Sequence, residues 1–451
     1  MSMTKRLRFI LTLCVVTLLA LQGPLAAQDP GQDRQAGKIA LDQTPPVDPN
    51  ITVGKLANGL HYYIRENKTP ENRAELRLVV NAGSILEDED QQGLAHFVEH
   101  MAFNGSRNFA KQELVEFMES IGMRFGPDLN AYTSFDETVY MLTIPTDKPE
   151  IMDTAFRIME DWAHGLALEE EEEIDKERGV VIEEWRLGQG AMARLRDKQF
   201  PVLLKGSRYA ERLPIGKKEI IESFEYEKLK RFYREWYRPD LMAVIAVGDF
   251  DRARIEAKIT EHFQGLKNPE DARARPVFDV PDFQETLFTI ATDREVPYTS
   301  VAVYHKLAAR DQSTVGFYRQ GIVERLYSGM LNRRLSELTQ KPNPPFIYAY
   351  SSRGALVRTK DSYTLIASTK EDGIELGLRA VFLESERVAR HGFTSTELDR
   401  QKQDLLRSME RAYAEQGKQN SGMFAAEFIR SFLQGEPIPG IAFEFELHKR
   451  F

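Results

Sequence analysis

Two hydrophobic periods alternate along this chain. Thr52-Val53 and His61-Tyr62-Tyr63-Ile64 flank Asn58-Gly59, a dipeptide suited to the positive-φ positions of a tight hairpin. Residues 75–80 alternate with period two and predict a strand. In 111–121, Leu114, Phe117, Met118 and Ile121 fall at i, i+3, i+4 and i+7, which predicts an amphipathic helix. Residues 130–144, rich in Tyr, Thr, Val and Phe, predict a strand or hairpin, and 151–162 a second amphipathic helix. A third helix covers 174–187. The acidic run 169–173 before it is read as a solvated helix start, where carboxylates suit the dipole. Residues 241–247 are almost continuously apolar, as a strand buried on both faces requires, and a helix over 254–263 follows.

Prolines and charges crowd 265–285, and a similar set then begins: strands near 299–304, 346–350 and 363–368, helices over 317–338, 371–391 and 395–416. Strands and helices mix without strict alternation, which argues for α+β domains. The expected organisation is a unit over 51–265, a linker over 266–283 and a second, similar unit over 284–451. The second unit is shorter than the first and ends at Leu447-His448-Lys449-Arg450-Phe451 without a turn signal, so it reads as truncated. Residues 28–50 carry several prolines and read as a flexible leader.

Composition narrows the function. Lys5, Arg6 and Arg8 precede an apolar run, 9–21, and small residues ending at Ala27. The run is too short for a membrane span and suits a signal peptide over 1–27, placing the mature protein in the periplasm or outside the cell. The single cysteine, Cys14, lies inside that run, so the mature chain has neither a disulfide framework nor a cysteine nucleophile. The net charge of −9, without a basic stripe, argues against nucleic-acid binding.

The chemistry concentrates in His96-Phe97-Val98-Glu99-His100. His96 and His100 lie one turn apart on one helix face, an arrangement that can hold one zinc ion, with Glu99 beside them as general base for a water. Apolar flanks on both sides predict a buried helix, where two histidines and a glutamate need partners. A catalytic zinc usually keeps three protein ligands. The candidates for the third are His61, His164 and the carboxylates of 169–184. Glu177 and Glu184 share a helix face two turns apart, with Val180 and Val181 expected to keep that face near apolar surroundings; one could bind metal while the other supports it. Trp162, Trp185 and Trp236 are expected in the core, and 194–198 on a solvated helix face.

The chain resembles the pitrilysin/insulinase family of zinc peptidases, the inverzincins, which join H-x-x-E-H to a downstream E-x6-E. The resemblance is carried by Gly93 through Gly105 around the motif, Asn130-Ala131-Tyr132-Thr133-Ser134, Trp236-Tyr237-Arg238-Pro239 and Val247-Gly248-Asp249. It implies two similar α/β sandwich domains with mostly antiparallel sheets flanked by helices, the second incomplete, as in the N-terminal half of a large bacterial secreted zinc protease. It also implies zinc on His96, His100 and Glu184, Glu99 as base, Glu177 in support, and substrate held as an added strand along Asn130 and Ala131. The expected activity is a metalloendopeptidase acting on extended peptides or unfolded proteins. The alternative is a non-catalytic or partner-dependent subunit of the same fold, which needs a complementary half or second chain to complete an enclosing chamber. The interval of 84 residues from His100 to Glu184 is longer than the family's usual one, and 123–129 could hold the excess. Glu183 is the alternative third ligand if the helix register differs by one.

Overall fold

The computed structural model describes residues 39–451. The expected signal segment 1–27 and residues 28–38 lie outside the described residues. Residues 41–50 do not form a free leader. Leu41 and Gln43 accept backbone hydrogen bonds from Gly316 and Val315, Asp48 N–H donates to Ile438 O at 2.8 Å, and the Asp48 carboxylate pairs with Arg65 at 2.7 Å. Prolines here stiffen a strap that the rest of the chain binds.

The first sheet uses strands β1 (Ile51–Lys55), β2 (His61–Glu66), β3 (Arg73–Val80), β4 (Leu129–Thr133), β5 (Thr138–Pro145) and β6 (Met242–Gly248). Their order is β1-β2-β6-β3-β5-β4, antiparallel except for β2 beside β6. The Asn58-Gly59 turn joins β1 to β2, with Gly59 at φ +98°. β6 is buried along its whole length because it is central and covered on both faces. β4 has a partner on one side only and is the edge.

Alternation decides the two faces. Leu76, Leu78, Val244, Ala246, Tyr140 and Leu142 point into the larger core, under helices α1 (Leu94–Met101), α2 (Glu113–Ser120), α3 (Pro149–His164) and α4 (Glu171–Leu187). Tyr63, Val79, Val139, Ala243, Ile245 and Val247 point the other way. That opposite face is covered by helix Ser421–Gln434 through Phe424, Ala425 and Phe428. The pattern along the chain groups this helix with the second unit; in space it belongs to the first sheet.

The second sheet has strands β7 (Thr299–Ala308), β8 (Tyr348–Val357) and β9 (Lys360–Thr369) in the order β7-β9-β8, all antiparallel. Helices Val315–Thr339 and Ile374–His391 cover its inner face around Leu331, Leu335, Leu365 and Val381. The order repeats that of β3-β5-β4, so the second sheet shares the topology of that half of the first. The segment 264–298 between them lacks regular structure yet is not loose: Val280 is fully buried in the first core.

Candidate metal centre

α1 starts at Gly93, φ +104°, which packs back to back against Gly216; a Cβ on Gly216 would lie 2.2 Å from the Gly93 Cα. The Glu87 carboxylate caps this start, Oε1 accepting from Gly93 N at 3.0 Å and Ala95 N at 2.8 Å. Burial pushes the Glu87 carboxyl up to about 8 despite those two donors. Leu94, Ala95, Phe97, Val98 and Met101 of α1 face the core, which leaves His96 and His100 together on the side toward α4.

α4 is held against α1 by an aromatic relay. Phe97 meets Phe224 edge-on at 5.0 Å, and the Arg178 guanidinium of α4 lies 3.7 Å over the same Phe224 ring while donating to Ile221 O and Phe224 O. Ile174, Glu177 and Val181 form the buried face of α4. Val180, expected beside Val181 near apolar surroundings, is 52 % exposed, because that register step turns it outward.

The outcome is one cluster. His96 Nε2 and His100 Nε2 stand 3.2 Å apart, and Glu184 Oε2 lies 3.1 Å from His100 Nε2 and 3.7 Å from His96 Nε2. One ligand atom from each of the three residues falls within 4.8 Å of the others. Glu177 Oε1 meets His100 Nδ1 at 2.8 Å, and its other oxygen accepts from Asn104 Nδ2 at 2.5 Å. Desolvation opposes charge on His100, but the Glu177 and Glu184 hydrogen bonds outweigh it and hold the ring up, to about 9. Burial, with the neighbouring His100, holds His96 down at about 4. His96 Nδ1 is buried without a hydrogen-bond partner among the described residues.

These residues fit a zinc ion. Two imidazole nitrogens and a carboxylate oxygen converge within 4.8 Å of one another, a donor set suited to zinc. With a metal in place, the Glu177 carboxylate on His100 Nδ1 would keep the proton there and leave the Nε2 lone pair to the ion, the arrangement that metal-bound histidines commonly show. Glu183 is turned away and pairs with Arg186. His61 packs on Phe432, and His164 is exposed at the end of α3; neither joins the cluster.

A cleft of about 380 Å³ opens over the cluster, lined by His96, Glu99, Ala131, Tyr132, Thr133, Glu184, Arg196 and 213–215. Glu99 Oε2 accepts from Thr133 Oγ1 at 2.6 Å, and burial raises its carboxyl to about 6. Ala131 lines the cleft. Asn130 is exposed beside it, its side-chain oxygen accepting the Ala131 N–H at 2.8 Å. Sequence reasoning gave Thr133 and Asn104 no role, although both lie inside motifs it had singled out.

Comparison with known proteins decides the family. Residues 62–197 match the model "Insulinase (Peptidase family M16)" and 223–405 the model "Peptidase M16 inactive domain". The chain is 30 % identical to the first half of the periplasmic protease PqqL from Escherichia coli, with a TM-score of 0.85 over 90 % of this chain and 87 % of that one. The chain belongs to the insulinase family of peptidases. A zinc protease PQQL-like of Arabidopsis thaliana is 36 % identical over 88 % of this chain and 38 % of its own length. The probable zinc protease PqqL of Escherichia coli K12 is 32 % identical over 90 % of this chain and 43 % of its own. This member of the insulinase family thus spans less than half the length of either of these two relatives. Its fold, two α+β units with sheets flanked by helices, is the family's. Among the described residues no helix is long and apolar enough to cross a membrane.

Proposed function

We propose that the chain carries the metal centre of a zinc metalloendopeptidase that cleaves extended peptides or unfolded proteins. The observation that supports this most directly is the convergence of His96, His100 and Glu184 at the floor of a cleft that also holds Glu99. His96 and His100 would hold one zinc ion through Nε2 and Glu184 through a carboxylate oxygen. Bound there, zinc supplies Lewis acidity toward a water and a scissile carbonyl.

The remaining work falls to the protein. Glu99 accepts the proton of the attacking water and passes it to the leaving amine. Its Oε2 is held by Thr133, so Oε1 is the atom that takes the proton. Its raised pKa suits both halves of that transfer. Glu177 and Asn104 fix the His100 ring. The edge strand β4 accepts substrate as a further strand. The Leu129 N–H and C=O are taken by Arg124 O and Gly126 N–H, whereas the Ala131 N–H bonds only the Asn130 side chain and not β5, so the edge open to substrate begins at Ala131. Asn130 swings aside as the substrate strand takes the Ala131 N–H.

The relatives' greater length supports a complementary half, on the same polypeptide or a partner subunit, that encloses the substrate. The signal-like N-terminus and the periplasmic Escherichia coli relative support action in the periplasm or outside the cell. Glu99→Gln is expected to keep stoichiometric zinc and to lower peptide hydrolysis by at least about a thousandfold. Parental turnover in that variant would remove Glu99 from the mechanism.

A further inference from the structure

The second unit matches a model described as inactive, yet the turn between β8 and β9 reaches the hairpin that holds Glu99. Leu356 and Val357 pack into the first core, Thr359 Oγ1 donates to Phe278 O at 2.7 Å, and Lys360 pairs with Asp282 at 3.1 Å. Between these anchors Arg358 crosses to the β4–β5 turn. Its guanidinium donates to Asn81 Oδ1 and, at 2.7 Å, to Glu137 Oε2, and lies 3.8 Å from Asp136 Oδ1. The contact is enclosed: the Arg358 side chain is 14 % exposed.

The turn it grips begins directly after Thr133. Ser134 N–H donates to Glu137 O at 2.8 Å, and Thr133 Oγ1 lies 3.4 Å from Thr138 Oγ1 as well as bonding Glu99. Asp136 has independent support from Tyr209 OH at 2.9 Å and Arg275 at 3.0 Å. Loss of Arg358 leaves Asp136 on Tyr209 and Arg275 and the turn backbone on Ser84 and Ile85, but strips the Glu137 carboxylate of its cation, so the slack falls on the side that continues into β5 opposite Thr133.

We infer that Arg358 is a positioning residue for the peptidase reaction, a clamp from the second unit that fixes the β4–β5 turn so that Thr133 holds Glu99 and the β4 edge faces the metal centre. The inference rests on the proposed role of Glu99. A misplacement of about 1 Å at such a site costs roughly a hundredfold in rate. Arg358→Ala is expected to lower kcat for an extended peptide by about tenfold to a hundredfold, with zinc content unchanged. Amide exchange across 129–134 should accelerate in the same variant, a readout that needs no turnover. Arg358→Lys should recover part of both, since it restores the charge without the fork.

The path through Thr133 is tested by Arg358→Ala combined with Thr133→Val. If both act on Glu99, the pair loses no more than the worse single variant, whereas independent effects multiply. Glu137→Gln attacks the clamp from its other end and carries the test should Arg358→Ala not fold. Parental kcat and parental exchange in Glu137→Gln, or full multiplicativity of the pair, would overturn the clamp. If Glu99→Gln is inactive while the Arg358 variants are unchanged, only the clamp fails. If Glu99→Gln is active, the underlying reading fails with it.

Discussion

A single turn of helix separates His96 from His100, but a metal site needs a third direction, and α4 supplies it with two carboxylates of different surroundings. Glu177 is 8 % exposed and spends both oxygens on His100 and Asn104. Glu184, with a side chain 51 % exposed, keeps its carboxylate on the open side of the cluster. The division predicts different phenotypes. Glu184→Ala should lose metal by orders of magnitude on zinc titration, while Glu183→Ala, which removes only an exposed pair with Arg186, should titrate as the parent does. The reverse pattern would shift the third ligand by one residue. Glu177→Ala should weaken zinc by about tenfold to a hundredfold, because the His100 ring loses the partner that sets its tautomer; an unchanged zinc affinity would leave Glu177 no supporting role. The clustering of His96 and His100 with Glu177 and Glu184 was legible because i, i+4 and i, i+7 spacings translate directly into helix faces. Thr133 and Asn104 were not, since each reaches its glutamate through a tertiary contact that no local period encodes.

At the scale of elements, the local periods located most strands and helices to within a few residues, as for β3 and α3. They failed where the partner of an element decides its role. The apolar stripe Phe424, Ala425 and Phe428 announces a buried helix face without saying which sheet buries it. The proline-rich residues 41–50 look loose until Val315, Gly316 and Ile438 are seen to bind them. β4 shows the same limit from the functional side: its sequence marks a strand, and only the sheet order makes it an edge. Ala131→Pro tests that edge. Its N–H is not spent on β5, so proline removes a donor for substrate while the ladder survives. Affinity for an extended peptide is expected to fall about tenfold, with the melting temperature within a few degrees of the parent. Unchanged affinity would move the substrate off this edge.

Across the whole molecule, the two units are tied by reciprocal intrusions rather than joined by a free linker. The β8–β9 turn of the second enters the first core, and helix Ser421–Gln434, reached only after the second sheet is complete, closes the outer face of the first. The reach is long: Asn67 Nδ2 donates to Ser421 Oγ across 354 positions of sequence. Phe428 sits at the centre of that closure, fully buried and stacked on Tyr63 at 5.8 Å. Truncating it removes a large apolar contact and leaves a cavity between helix and sheet, at a cost of about 3–5 kcal/mol. Phe428→Ala should therefore lower the melting temperature by calorimetry although it lies on the face opposite the metal centre. Because the helix belongs to one unit by sequence and the other by packing, the parent is expected to unfold in a single transition in which both sheets are lost together. Two resolved transitions in the parent, or a Phe428→Ala variant that melts where the parent does, would show that the first sheet does not depend on the helix that covers it.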